Sequence, residues 1–362
     1  MSYRRTEART AYIEWAKLHA GAKYNLAASG VKGLPLGELP VRWGELELSA
    51  AGNYGYAPLL ERLATRYGVA PKNVATAIGT SMANYLAMSA VLEPGDEVII
   101  EQPGYDPLLE VGHYLGAVVK RIPRRPEHGW QVEIDEFEKM VSGKTRLIVL
   151  TNLHNPSGVL LEEDRLRAIG DVAKRVGARV LVDEVYLELL FGRPFRSAFH
   201  LGEHFMVTSS LTKAYGLSGL RCGWIVAAAE LVERMWHQND LFGNIPAHIT
   251  DRLSVIAFDH LEVIRQRAEK LLERNWRLLD AFLAEHPELD VVRPPGGTIV
   301  FAKAPGRDGD GFAGNLRERY ETSVVPGRFF EMPDRIRIGI CCDSNEVEEG
   351  LRRAARALLH SR

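Results

Sequence analysis

The segment VTSSLTKAYGLSGLRCGW, residues 207–224, sets one lysine among small hydroxyl residues, between two apolar runs typical of strands at 205–209 and 223–227. No acidic residue lies within this segment, so Lys213 has no neighbour here for a surface ion pair. A lysine amine becomes nucleophilic when burial or nearby cations lower its pKa, and it can then form a Schiff base with an aldehyde. The segment alone leaves two interpretations open, a reactive lysine or an ordinary loop lysine.

Apolar runs alternate with helical patterns along the chain before this segment. Strands are predicted at 97–100, 117–122, 146–151, 179–182, 205–209 and 223–227, and helices at 58–67, 82–92, 108–115, 134–140 and 162–176. Apolar strands without polar alternation, separated by helices, are typical of a parallel sheet covered on both faces. The sequence therefore predicts an α/β fold, with a large domain over residues 46–255 whose mostly parallel sheet has helices on both faces.

The pattern changes after this region to long helices at 230–241 and 249–286, with a possible break near Asp259. Strands are predicted at 289–292, 298–302, 323–325 and 335–340, and a last helix at 345–359. Strands mixed with helices after a long helical connection indicate a smaller α+β domain over residues 256–362. Residues 1–45, with a helix at 7–20 and an extended arm, are expected to pack on it.

The composition excludes several classes of protein. The 362 residues are 46% hydrophobic and 25% charged, with a formal net charge of −2, which is ordinary for a globular protein and unlike a nucleic-acid-binding one. Since no apolar run reaches the length of a signal peptide core or a membrane span, we expect a cytoplasmic protein without a membrane partner. The three cysteines, Cys222, Cys341 and Cys342, suggest neither a disulfide framework nor a metal site.

In an open α/β sheet, ligands bind at the carboxyl ends of strands. Two loops with candidate ligand-binding residues are expected at this edge, each just before a predicted helix. Gly79-Thr80-Ser81 precedes a predicted helix, so its backbone N–H groups and two hydroxyls suit a phosphate, although small residues are also common helix caps. Tyr105 follows a strand and either stacks on a planar ligand or serves as a buried structural tyrosine.

Two further strand ends carry polar side chains. One continues into His154-Asn155-Pro156-Ser157-Gly158, a turn sequence whose amides suit ligand oxygens, and in which His154 is interpreted as a loop residue rather than a base. The other ends at Asp183, which is either a helix N-cap or a buried carboxylate beside a cation such as a pyridinium nitrogen. Tyr186, three residues later, can point into the same pocket.

Near the end of the chain, Arg335 and Arg337 alternate with apolar residues, which places both on one face of a strand. Two arginines on a solvated face would be ordinary. A guanidinium aimed at a pocket instead binds a carboxylate through two hydrogen bonds. Asn25, in the N-terminal arm, is a candidate for the same place.

Taken in order, these motifs resemble those of the fold-type I pyridoxal-phosphate enzymes, in the class I/II aminotransferase group, over nearly the whole chain. The resemblance implies pyridoxal 5′-phosphate as the cofactor, bound to Lys213 as an internal aldimine, with the same lysine later acting as the base. It also implies that Asp183 keeps the pyridine nitrogen protonated, so that the ring withdraws electrons from the substrate carbanion.

The resemblance assigns the other residues around the same cofactor. Tyr186 and Asn155 bond to the ring oxygen O3′, Tyr105 stacks on the ring, and Arg337 binds the substrate α-carboxylate, with Asn155 and Asn25 as further substrate-binding candidates. The phosphate cup comprises Gly79, Thr80, Ser81, Ser210 and Arg221. Tyr54 resembles the tyrosine that reaches the phosphate in the other subunit, with Tyr56 as its competitor, so a homodimer is expected.

Transamination between an L-amino acid and a 2-oxo acid, in ping-pong half-reactions, is the function that the resemblance implies, although fold does not decide reaction. The alternative is elimination and cyclisation, because residues 154–158, 212–224 and 325–330 resemble the capreomycidine synthases, which cyclise a hydroxylated arginine. Against this, Asp183-Glu184-Val185-Tyr186 follows the ordinary aminotransferase pattern. A regulatory domain of this fold would need a DNA-binding segment, for which residues 1–45 are too short.

Overall fold

A central seven-stranded sheet organises the structure, a computed structural model that describes residues 8–49 and 53–360. The strands are β1 Tyr24–Asn25, β2 Val74–Ile78, β3 Glu97–Gln102, β4 Val118–Pro123, β5 Thr145–Thr151, β6 Arg179–Asp183, β7 Phe205–Ser210, β8 Cys222–Val226, β9 Ile299–Lys303, β10 Thr322–Ser323, β11 Val325–Pro326 and β12 Arg335–Gly339. The helices are α1 Ala11–Leu18, α2 Ala57–Tyr67, α3 Gly79–Ser89, α4 Asp106–Tyr114, α5 Ile134–Met140, α6 Glu163–Arg175, α7 Ala229–Asn239, α8 His248–Asp259, α9 Leu261–Glu285, α10 Gly309–Tyr320 and α11 Ser344–Leu359.

The strand order of the large sheet is β2-β8-β7-β6-β5-β3-β4. Neighbours from β7 to β4 pair in parallel, whereas β8 is antiparallel to both β7 and β2. The carboxyl ends of β2, β3, β5, β6 and β7 therefore share one edge with the amino end of β8. This edge collects the loops that carry the predicted site, and the predicted mostly parallel α/β fold is confirmed.

Successive residues of the sheet strands pack into different cores. In β6, Val180 and Val182 belong to the apolar cluster that includes Leu166 and Ile169 of α6, whereas Leu181 belongs to the cluster that includes Leu86 of α3. Because side chains of a strand alternate between the two faces, a sheet with helices on both faces needs apolar residues at every position. This explains the continuous apolar runs of the sequence.

A second, antiparallel sheet of order β11-β12-β9 lies in the C-terminal region. The N-terminal arm joins this region through β1, which pairs in parallel with β10 so that Tyr24 faces Thr322. The Leu26 carbonyl also accepts a hydrogen bond of 2.7 Å from the Gly339 backbone N–H. The segment between α1 and α2 thereby packs on the C-terminal region through β10 and β12. The division into domains at residue 255 stays a prediction.

Several element predictions differ from the structure. The helix predicted at 82–92 begins at Gly79, and β2 was not predicted, because its run of small residues gives little strand signal. The strand predicted at 289–292 does not form, since Asp290 adopts a left-handed φ of 45° just after a 3-10 turn. The predicted strand 323–325 is divided between β10 and β11, and the predicted helix break falls between α8 and α9.

Helix α1 begins at Ala11 rather than at Glu7, and Glu7 lies outside the described residues. Among the helices formed by residues 8–49 and 53–360, none combines the length and the apolar content that crossing a bilayer requires.

Candidate active site

A cavity of about 230 Å³ opens at the edge of the sheet where the strand ends meet. Its wall includes nine of the residues predicted from the sequence: Thr80, Ser81, Tyr105, Asn155, Asp183, Tyr186, Ser210, Lys213 and Arg221. Residues 80–81 follow β2, residue 155 follows β5, and residue 183 ends β6. Residue 210 ends β7, and residues 213 and 221 lie between β7 and β8. The strand order therefore brings together side chains that lie more than a hundred residues apart in the sequence.

Lys213 lies in the turn after β7, with its amine inside the cavity. Its Nζ donates to the Ser29 hydroxyl at 3.2 Å, and the Tyr186 hydroxyl donates to the same oxygen at 2.8 Å. The amine also lies 6.0 Å from the centre of the Tyr186 ring. Gly30 permits this approach, since a Cβ there would lie 3.3 Å from the Lys213 Cδ. Lys213 is thus held by the N-terminal arm and faces no carboxylate at contact distance among the described residues.

Asp183 ends β6 with its carboxylate buried in the wall of the cavity. Burial raises its pKa to about 6, although hydrogen bonds from the Asn84 amide and the Val185 backbone N–H act to lower it. The distances are 2.8 Å from Asn84 Nδ2 to Oδ2 and 3.1 Å from the Val185 nitrogen to Oδ1. A buried carboxylate with a raised pKa is stabilised in its charged form by a cation placed beside it. This end of the cavity therefore suits a cationic ring nitrogen.

At the N-terminus of α3 the site is positively charged, in contrast to the negatively charged end at Asp183. The guanidinium of Arg221 lies directly against Gly79, where a Cβ would come within 2.0 Å of Nη2. This guanidinium donates long hydrogen bonds to the carbonyls of Ser218 and Ile78, at 3.5 and 3.4 Å. The Thr80 hydroxyl is buried without a hydrogen-bond partner among the described residues. A cation and an unsatisfied hydroxyl at a helix N-terminus form a cradle that fits an anion such as a phosphate.

Arg337 of β12 closes the site from the C-terminal region. Its buried guanidinium donates to Asn155 Oδ1 at 3.0 Å, to the Tyr12 hydroxyl at 2.8 Å and to the Ala27 carbonyl at 3.0 Å. Arg335 lies on the same face of the strand, as predicted, but it packs 5.1 Å from the Trp130 ring. Arg337 alone of this pair contacts a residue of the cavity wall, and its neighbours fix the direction in which it points.

Two predicted site residues lie elsewhere. Asn25 is not among the described residues of the cavity wall, because its Oδ1 accepts hydrogen bonds from the backbone N–H groups of Ala27 and Ala28 and from the Ser323 hydroxyl. Asn25 thereby shapes the arm that presents the Ala27 carbonyl to Arg337, and its direct contact with a substrate stays a prediction.

Tyr54 also lies away from the cavity of its own chain. Its hydroxyl donates to Asp240 at 3.0 Å, and its half-exposed ring packs on Trp236. Tyr56, its competitor, accepts a hydrogen bond from Arg252. The role of Tyr54 at the phosphate of another subunit stays a prediction.

Tyr12, Ser29 and Asn84 are among the residues of the cavity wall that sequence reasoning missed. Tyr12 and Ser29 come from the N-terminal helix and arm, whose position over the sheet depends on long-range pairing. Asn84 did carry a signal, because it is a lone amide within the otherwise apolar side of a buried helix.

His154 is buried, and burial lowers its pKa well below the usual value. Its Nε2 lies 2.9 Å from the Pro103 carbonyl, which only accepts, so this nitrogen carries the proton and Nδ1 accepts from Ser157 at 2.7 Å. Both ring nitrogens are thus used in structural bonds. Within the described parts of the chain, no cluster of three or more histidine, cysteine or acidic side chains is arranged to hold a metal ion.

Comparisons with known proteins agree with this geometry. The family model described as aminotransferase class I and II matches residues 48–353. A capreomycidine synthase of Streptomyces vinaceus is 30% identical over 91% of this chain and 88% of its own length, and an arginine–pyruvate transaminase of Pseudomonas aeruginosa is 29% identical over 87% and 85%. A pyridoxal-phosphate-dependent aminotransferase of Streptococcus suis superposes with a TM-score of 0.93 at 26% identity, over 99% of both chains.

Pyridoxal phosphate is the cofactor of this family, and the residues present fit it. The buried Asp183 provides the carboxylate that a protonated ring nitrogen requires, and the cradle of Arg221 and Thr80 provides the donors that its phosphate requires. Lys213, in the same cavity wall, would supply the amine for its aldehyde. The chemistry of these three groups is complementary to one molecule that is anionic at one end and cationic in its ring.

Proposed function

This chain belongs to the class I and II aminotransferases, and from that premise we propose that it transfers the amino group of an L-amino acid to a 2-oxo acid. The observation that carries the proposal is the convergence of Lys213, Asp183 and Asn155 on one cavity, with Arg337 bonded to Asn155. Pyridoxal phosphate, when bound, supplies a ring that withdraws electrons from the α-carbon of the substrate. The described residues do the rest by binding, orienting and moving protons.

Lys213 is proposed as the base that takes the proton from the substrate Cα and returns one to the cofactor side. Lys213 lines the cavity, and its four-carbon stem gives the amine the freedom that transfer between two positions requires. The Ser29 hydroxyl, 3.2 Å away, holds the amine in place between transfers. Tyr186, bonded to the same hydroxyl, is proposed to orient the ring oxygen of the cofactor together with Asn155.

Arg337 is proposed to bind the α-carboxylate of the substrate. The guanidinium is already oriented by Asn155 and by Tyr12, whose hydroxyl accepts from Nη2 and retains its own proton for donation. A carboxylate placed before this pair receives charge-assisted hydrogen bonds at little cost in ordering the protein.

The wall beside the carboxylate end is aliphatic. Ile13 and Ala16 of α1 face the cavity, next to Tyr12. Among the described residues of the wall, the charged ones are Asp183, Lys213 and Arg221, and all three are proposed to bind the cofactor. We therefore propose a substrate whose side chain begins with an aliphatic stretch along α1, rather than a short dicarboxylic acid.

A homodimer is proposed as the active form. Ser81 and Arg221, at the phosphate end, are exposed in the single chain. Around them the apolar side chains of Ile78, Leu241 and Phe242 are also exposed, with Leu241 at 81%. Exposed apolar groups beside an open catalytic end support coverage by a second copy, to which Tyr54 would contribute.

The second candidate function is elimination with cyclisation of an arginine derivative. It is supported by the 30% identity to a capreomycidine synthase, which exceeds slightly the 29% identity to a transaminase. Both relatives have names that refer to arginine or to a product of its chemistry, so arginine and its hydroxylated derivatives are the first substrates to test.

The experiment is a product analysis under single-turnover conditions, with cofactor-loaded protein and a panel of L-amino acids that includes arginine and hydroxyarginine. Transamination releases one 2-oxo acid per site without ammonia, and the amino group is recovered when a different 2-oxo acid is added. A cyclic amino acid without any 2-oxo acid would replace the proposal with the second candidate. The Lys213→Ala variant serves as the control for uncatalysed reaction.

A further inference from the structure

A chain of buried hydrogen bonds runs from Thr208 through Asn84 to the carboxylate of Asp183. Asn84 of α3 donates from Nδ2 to Asp183 Oδ2 at 2.8 Å, and the Thr208 hydroxyl of β7 donates to Asn84 Oδ1 at 2.6 Å. All three side chains are at most 4% exposed. Thr208 and Asp183 are register partners on the neighbouring strands β7 and β6, so the chain connects a helix to two strands.

The direction of these bonds follows from the chemistry of the groups. An ionised carboxylate only accepts, so the amide must turn its nitrogen toward Asp183. Its oxygen then faces Thr208, whose hydroxyl must donate. Each member fixes the next, and the orientation of the amide is determined by both ends of the chain. Asn84 and Asp183 both line the wall of the cavity.

We infer that Asn84 is a positioning residue that holds Asp183 ionised and turned toward the ring nitrogen of the cofactor. The inference rests on the proposed role of Asp183 at that nitrogen. A hydrogen bond from a neutral amide stabilises the charged form of the carboxylate without competing with it for the ring proton. A cationic donor in this place would neutralise the carboxylate and weaken its hold on the ring nitrogen, which explains why an amide is suited to the position.

The inference predicts that Asn84 matters only for a cofactor that has a ring nitrogen. The two probes are pyridoxal phosphate and its 1-deaza analogue, in which carbon replaces that nitrogen while the aldehyde, hydroxyl and phosphate remain. Dissociation constants are measured by titrating cofactor-free protein with each probe. In Asn84→Leu, the constant for pyridoxal phosphate is expected to rise about 10-fold, the size of one lost hydrogen bond to a charged group, while that for the analogue stays within about twofold.

Nitrogen-15 NMR of labelled cofactor gives a readout independent of affinity and of turnover. The resonance of the ring nitrogen is expected to move toward that of the unprotonated form in Asn84→Leu. Asn275→Leu is the matched control, because Asn275 is equally buried and donates to the carbonyls of Ile340 and Cys342, away from the cavity. The control is expected to leave the ratio of the two dissociation constants unchanged.

An equal rise for both probes in Asn84→Leu would overturn the inference, because it would show a packing role only. Should that variant not fold, Thr208→Val decides, since it keeps the amide but removes the hydroxyl that orients it: a selective loss supports the inference and an unchanged ratio overturns it. Asp183→Ala distinguishes a failure of the proposed role of Asp183 from a failure of the inference about Asn84. If it fails to discriminate between the probes, the proposed role of Asp183 fails; if only the Asn84 variant fails to discriminate, the inference alone is refuted.

Discussion

Replacing Gly79 by alanine tests the phosphate cradle most directly, because two separate effects of the change have known sizes. Gly79 has a φ of +72°, and a Cβ there would lie 2.0 Å from Nη2 of Arg221 and 2.7 Å from its Cζ. The left-handed backbone costs an L-residue roughly 1–2 kcal/mol. The overlap with the guanidinium is too short to exist, so Arg221 must move away from the N-terminus of α3.

Gly68→Ala separates the two effects. Gly68 ends α2 with a φ of +60°, and a Cβ there would meet no described atom within 4 Å. Both variants should therefore lose roughly 1–2 kcal/mol of unfolding free energy from the backbone alone. Only Gly79→Ala should also lose the bond between Arg221 and the phosphate. Because Arg221 is exposed in the single chain, we take the low end for a charged hydrogen bond, about 1.5 kcal/mol, which is about a 10-fold loss of affinity.

The assay titrates cofactor-free protein with pyridoxal phosphate and with pyridoxal, which lacks the phosphate, after urea unfolding has established the stability of each variant. We expect Gly79→Ala to bind pyridoxal phosphate about 10-fold more weakly than Gly68→Ala does, with equal affinity of the two variants for pyridoxal. If both variants bind pyridoxal phosphate equally well, or if Gly79→Ala loses pyridoxal to the same extent, the assignment of the cradle is refuted.

Three further predictions concern the amine, the carboxylate end and pH. Lys213→Ala should abolish turnover and the absorbance of covalently held cofactor, whereas Lys32→Ala, on the surface, should retain both. Tyr12→Phe should raise the KM for amino acids about 10-fold with little change in kcat, because the hydroxyl next to Arg337 is lost in both ground and transition states. Burial raises the pKa of Glu184 to about 8, so between about pH 5 and 8 the folded protein retains a proton that the unfolded chain has already released. Glu184 should therefore make stability fall with rising pH, by at most about 1.4 kcal/mol per pH unit, and Glu184→Gln should remove this contribution in urea unfolding of cofactor-free protein.

Each of these predictions has an outcome that contradicts it. Retained cofactor absorbance in Lys213→Ala would show that another amine holds the cofactor. An unchanged KM in Tyr12→Phe, with Tyr24→Phe as the control on β1, would show that the phenol only packs. For Glu184→Gln, parallel stability curves of variant and wild type between pH 5.5 and 7.5 would show that the carboxyl is already ionised when folded.

Much of the fold could be predicted because its signals are local. The alternation of apolar strands and helices reflects the period of each element, and the ends of β5, β6 and β7 were placed within one residue. Motif residues at those ends, such as Asp183 and Lys213, follow directly from the strand assignment. Strand prediction failed at two places. Strand β2 was missed because a short run of small residues gives little local signal, and the strand predicted at 289–292 does not form because Asp290 is left-handed, a conformation that leaves no local signal in the sequence.

The sequence by itself determined the family, the cofactor and the α/β sheet, because these depend on residue types at strand ends and on their order along the chain. Tertiary structure decided which side chains meet. The reversal of β8 brings Arg221 beside Gly79, and the pairing of β1 with β10 holds the arm that brings Ser29 to Lys213. It also bonded the Asn25 side chain to the backbone of the arm and placed Asn84 against Asp183. The physical reason is that periodicity is a property of neighbouring residues, whereas strand order and long-range hydrogen bonds depend on the whole chain.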